Sequence, residues 1–141
     1  IRRPPRSTQS RSSAASDAYK RQGLHRTSQL AVRVTTMSII SQAMDRLRNQ
    51  PPATLLGDRV DVCDLDDPSN GSGLPQQNAI ELTGPRVHVV TRPSGTEPKL
   101  KCYLEVRATP AESAADLSAT KARLDADMTT LRDEMSQALG I

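Results

Sequence analysis

The chain has 141 residues, enough for one domain of ordinary size, but it contains no Trp, no Phe and only two Tyr, so any core must be aliphatic. At 35% hydrophobic residues, and with no apolar run near the ~20 residues that a bilayer span needs, it reads as soluble with no membrane partner. The net charge of +3 would point to nucleic acid if it were spread over a folded surface, but Arg2, Arg3, Arg6, Arg11, Lys20, Arg21 and Arg26 crowd one end against Asp17 alone, leaving a net acidic body.

Residues 1–22 hold almost no large apolar side chain and cannot bury enough surface to offset the entropy of ordering, so a disordered leader is expected there. The run over residues 2–17 also resembles translated adaptor or cloning sequence, and we leave it out of the fold argument. With no apolar stretch after its arginines it is no secretory signal; an Arg- and Ser-rich, acid-poor leader also has the composition of an organelle transit peptide. Cys63 and Cys102 lie far apart in apolar-alternating segments, which argues against a zinc cluster or redox pair and for two buried thiols in a reducing cytoplasm.

Leu30, Val32 and Val34 alternate with Gln29, Ala31 and Arg33, the period of a half-buried strand. A helix follows. Ser38 is its expected N-cap, Ile39, Ile40, Ala43, Met44 and Leu47 recur at three- and four-residue intervals, and Pro51-Pro52 ends it after Gln50. A second strand starts at Val60 and Val62, and residues 66–73 form a loop. Strands are then expected near residues 78–82, 86–91 and 100–107. Thr109-Pro110-Ala111-Glu112 is a capping box opening a long helix to Gly140, with Leu117, Leu124, Met128, Leu131, Met135 and Leu139 as its apolar stripe. The order β-α-β-β-β-β-α predicts an α+β fold, an antiparallel sheet of about five strands with helices on one face.

Between two strands lies Arg92-Pro93-Ser94-Gly95-Thr96-Glu97-Pro98-Lys99, with Lys101 just beyond. A tight turn has no use for so many cations and hydroxyls. Together they make a phosphate receptor: Arg92 offers a planar fork, Ser94 and Thr96 donate hydroxyl protons, and Gly95 allows close backbone approach. Pro93 and Pro98 restrict the backbone on both sides. Glu97 is expected to orient Lys99 or Arg92, or to accept a sugar hydroxyl.

Residues 92–105, RPSGTEPKLKCYLE, resemble the phosphate-binding loop in the C-terminal domain of the α-D-phosphohexomutases, the phosphoglucomutase/phosphomannomutase superfamily. The resemblance covers about residues 23–141, read as that domain. It implies a fold like the TATA-binding protein and a site in which Arg92, Ser94, Gly95, Thr96 and Lys101 grip the phosphate of a hexose phosphate that is not being transferred, with Glu97 and Lys99 in support. Many members carry Arg where Lys101 stands, and Lys loses the fork. The family's nucleophile, metal and sugar loops do not occur here, so the resemblance implies that Mg2+ and the catalytic groups belong to preceding domains of a complete enzyme and that this piece alone transfers nothing.

Other candidates are weaker. Asp64, Asp66 and Asp67 lack the order of a calcium loop and read as a solvated acidic loop with no metal. His25 and His88 have no matched ligand spacing. Leu117, Leu124 and Leu131 repeat at seven for too few heptads to make a coiled coil. The rival function is a nucleic-acid-binding or interaction module using the basic leader; the acidic body and the scarcity of aromatic stacking residues, with no Trp, no Phe and two Tyr, speak against it.

Overall fold

The computed structural model describes residues 24–69, 71, 73 and 75–141; the expectations for residues 1–22 lie outside them. Strand β1 (His25–Arg33) starts four residues before the alternation becomes legible. Its polar beginning is held by backbone pairing, from His25 opposite Arg107 through Ser28 opposite Leu104.

Helix α1 (Met37–Asn49) buries Ile40, Ala43, Met44 and Leu47, the i, i+3, i+4, i+7 set that makes one apolar stripe. Its cap is Thr36 rather than Ser38, because the chain stays extended through Thr36; the two hydroxyls meet at 3.0 Å and neither side chain caps a backbone N–H. Arg46 and Arg48 lie in the last turn, where the helix dipole favours cations. Arg48 also reaches Asp64 at 2.9 Å and hydrogen-bonds Asn78, tying α1 to both ends of the following loop.

A small hairpin that the sequence pattern does not announce comes next, β2 (Thr54–Leu55) with β3 (Asp58–Arg59). Leu56 and Gly57 turn it at φ of 53° and 80°. Leucine pays for that backbone with strain, offset here because its N–H donates to Glu134 (2.9 Å) and its carbonyl accepts from Arg86 (2.7 Å).

Strands β4 (Asp61–Asp64), β5 (Ile80–Thr83), β6 (Val87–Pro93) and β7 (Lys99–Arg107) complete one sheet in the order β1-β7-β6-β5-β4, every neighbour antiparallel. The five-stranded antiparallel sheet is the one expected. Alternation sends Ile80, Leu82, Val87, Val89, Leu100, Cys102, Leu104 and Val106 to one face, where all are buried. Each such aliphatic side chain contributes on the order of 1.5–3 kcal/mol. Val62 is 42% exposed, as its strand forms the sheet edge, and Cys63 is half-buried rather than buried.

The long terminal helix is two: α2 (Pro110–Ala115) and α3 (Leu117–Leu139). Thr109 and Glu112 form the expected capping box. Asp116 then turns extended and caps α3 through Ala119 N–H at 3.0 Å, since a short carboxylate satisfies a helix start better than it serves a helix interior. The buried Thr120 hydroxyl donates to the carbonyls of Glu112 and Asp116, closing the joint. Leu117 sits at this bend and is 50% exposed, outside the stripe; Leu124, Leu131, Met135 and Leu139 are buried and Met128 partly so. Gly140 ends α3 at φ 74°. The helices α1 and α3 lie on the apolar face, so the other face of the sheet is left to polar side chains.

Candidate functional site

Strands β6 and β7 are neighbours in the interior of the sheet, and the loop joining them, residues 94–98, is fixed at both ends. Ser94 N–H donates to the Lys99 carbonyl (2.8 Å), and Lys99 N–H donates to the Glu97 carbonyl (2.7 Å). A third bond, Val34 N–H to the Pro98 carbonyl (2.9 Å), ties it to the end of β1. The loop therefore stands at the corner where β1, β6 and β7 meet.

Register determines what surrounds it. Arg92 lies directly opposite Lys101, and Arg33 directly opposite Lys99, all on the face away from the helices. Two like-charged cross-strand pairs side by side oppose folding, by roughly 0.2–1 kcal/mol each on general grounds. Glu97 offsets one of the four charges: its carboxylate is 3.6 Å from Arg33, not on Lys99 or Arg92 as the sequence suggested.

The other loop residues differ in exposure. Ser94, Lys99 and Lys101 are half-buried, whereas Arg92, Gly95, Thr96 and Glu97 are exposed. A Cβ built on Gly95 would meet nothing within 4 Å, and its φ is not in the left-handed region. Neither backbone nor packing asks for glycine there.

Tyr103 follows on the same face of β7. The Arg92 guanidinium lies 5.5 Å from its ring centroid, with Nη2 3.4 Å from the hydroxyl. The hydrogen bond from Arg92, then the charges of Arg92, Lys101 and Lys99, pull the Tyr103 hydroxyl below its ordinary pKa. Three of the cations thus act on one point. A groove of about 670 Å³ runs from Arg92 past Tyr103 to His88 and Glu105.

Chemically, a rigid loop with open space over its glycine, beside several cations of which one carries a planar fork, can hold a small oxyanion. The predicted set Arg92, Ser94, Gly95, Thr96 and Lys101 lies on this one loop and its two flanking strands. Arg33 and Tyr103 were not in it. Tyr103 shares its face with Lys101 by simple alternation, a signal present in the sequence, but its contact with Arg92, like that of Arg33 with Glu97, depends on a register that sequence does not print.

Elsewhere, His88 pairs with Glu81 at 2.8 Å on the polar face. The acidic loop is engaged: Asp64 by Arg48, and Asp67 by the Ser69 N–H and hydroxyl, which lower its pKa. Among the described residues no group of three His, Cys, Asp or Glu side chains gathers to hold a metal. Cys102, buried beneath Arg92 and Lys101, is pushed up to about 11 by desolvation and is no nucleophile.

A "Probable phosphomannomutase" of Haemophilus influenzae is 35% identical over 97 residues, which cover 66% of this chain and 19% of that protein. The chain thus spans about a fifth of that relative's length. Residues 30–124, more than half of the chain and including the whole loop, match the family described as phosphoglucomutase/phosphomannomutase, C-terminal domain. On that match the chain belongs to the phosphoglucomutase/phosphomannomutase family, as its C-terminal domain.

Proposed function

We propose that this chain binds the phosphate of a hexose phosphate that is not being transferred, within a mutase that moves phosphate between two positions of a sugar. Arg92, Ser94, Gly95, Thr96 and Lys101 make the contacts; Lys99 adds charge, and Glu97 steadies the loop through Arg33. The observation that carries this reading is the pair of facing cations, Arg92 opposite Lys101. A folded domain gains nothing by placing like charges opposite each other unless an anion comes between them. The open space over Gly95 gives such an anion room to reach the backbone.

The domain extends over residues 23–141. Phosphoryl transfer needs a nucleophile, a magnesium ion and a sugar-reading loop, which belong to preceding domains, so the chain alone binds and does not react. A charge-based site also suits a mutase because it reads phosphate while tolerating either orientation of the sugar. Among the described residues no helix is long and apolar enough to cross a membrane. The two free thiols suit a reducing cytoplasm, the location proposed for the enzyme.

The test is a titration of the 141-residue chain with glucose 1-phosphate, mannose 1-phosphate and inorganic phosphate, followed by backbone amide shifts. Saturable shifts centred on residues 92–101, weakened by salt, are expected. Shifts spread over other strands, or none at millimolar ligand, would end the proposal. RNA binding that survives deletion of residues 1–22 would favour the nucleic-acid reading instead.

A further inference from the structure

We propose that Tyr103 is a positioning residue for Arg92, its ring and hydroxyl holding the guanidinium on the polar face of the sheet with its outer N–H edge free for an anion. This rests on the phosphate reading above and adds to it a residue outside the loop.

Arginine is a poor receptor when left loose, because its rotatable bonds must be frozen at the moment of binding. On β6 its direct cross-strand neighbour is Lys101, which repels it. The next residue on that face of β7 is Tyr103, itself set between Val90 of β6 and Gln29 of β1. The guanidinium leans onto this ring, 5.5 Å from the centroid, and Nη2 reaches the hydroxyl at 3.4 Å.

The choice of partner matters more than its strength. A carboxylate would hold Arg92 as well, but it would occupy the fork and cancel the charge that an anion needs. An aromatic face takes the flat side of the guanidinium and leaves its edges available. Glu97 and Glu105, the carboxylates nearby in sequence, are engaged by Arg33 and Arg107. The same hydrogen bond from Arg92 draws the Tyr103 hydroxyl below its ordinary pKa.

The experiment titrates inorganic phosphate into the full 141-residue chain and into its Tyr103→Phe, Tyr103→Leu, Arg92→Ala and Arg92→Ala/Tyr103→Leu variants, reading Kd from amide shifts. Tyr103→Leu should weaken binding about three- to fivefold and Tyr103→Phe about twofold, as expected for an exposed cation–π contact with and without its ring. With Arg92 already removed, Tyr103→Leu should change nothing further. Wild-type affinity in Tyr103→Leu, or an equal loss in both backgrounds, overturns the proposal while leaving phosphate binding intact. Absence of binding in every variant, wild type included, sinks the phosphate reading and this role with it. A ring-proton pH titration gives an independent arm: Arg92→Gln should raise the Tyr103 pKa, and an unmoved titration refutes the pairing itself.

Discussion

Strands β6 and β7 have two faces built on opposite rules. Toward the helices the positions serve stability: Val87, Val89, Leu100, Leu104 and Val106 are buried in one aliphatic core, with Thr91 hydrogen-bonded to Cys102 beside them. Toward solvent the same strands carry facing cations, an arginine held by a ring, and a glycine that the protein itself does not need. If the loop binds phosphate as proposed, one backbone separates folding from binding by the period of two. Substitutions on the helix face should move stability without affinity, and those on the polar face should move affinity far more than stability.

The largest effect expected is on the helix side. Leu131→Ala, removing a fully buried side chain of α3, should cost about 2–5 kcal/mol in denaturant unfolding while the phosphate Kd of the folded fraction stays put. An affinity that fell with stability would merge the two faces. Next is Arg92→Ala, predicted to lose about 1.5–3 kcal/mol of phosphate affinity, the usual worth of a charged hydrogen bond, with unfolding unchanged to about 0.5 kcal/mol.

Lys101→Glu separates the faces most sharply, because it should act with opposite signs. Turning a like pair into an opposite one stabilises the sheet by about 0.2–1 kcal/mol, and the same carboxylate repels phosphate. If the variant is less stable, the facing cations are not in conflict. Gly95→Ala comes next: no change in stability beyond about 0.5 kcal/mol, yet measurably weaker phosphate binding, because the methyl fills space that only a ligand uses. The smallest effect lies far from the loop. The Thr109 backbone N–H, then its hydroxyl contact, hold the Glu112 pKa below its ordinary 4.5, so its contribution is complete above that value and lost as pH falls through the lowered one. Glu112→Gln should flatten this acid limb in a stability-versus-pH series and leave phosphate binding at neutral pH untouched.

How much of this was legible in the sequence follows from which forces are local. Period two in residues 100–107 and the i, i+3, i+4 spacing in α1 gave the strands, the helix and their buried sides. The candidate loop, Arg92 to Lys101, stood out as well, since its residues are contiguous. What escaped depends on distant partners. The β2–β3 hairpin turns on Leu56, a residue that no turn rule would choose and that Glu134 and Arg86 hold from far along the chain. The break at Asp116 was readable as a second cap, but the alanines around it favour helix and mask it. Arg33 and Tyr103 joined the site only once the β1–β7 and β6–β7 registers were known.

The two cysteines, chemically identical in sequence, keep different clocks. Cys63 sits half-exposed on the edge strand and is open to a thiol reagent in the native protein. Cys102 lies behind the cations, hydrogen-bonded to Thr91 at 3.1 Å, and desolvation pushes its pKa up to about 11, which disfavours the thiolate at neutral pH. Its labelling must wait for β6 and β7 to part. A single alkylation experiment therefore yields a fast phase that counts protein and a slow phase that counts sheet openings, and any anion that binds only the closed far side of those strands will lengthen the slow phase by the factor 1 + [L]/Kd.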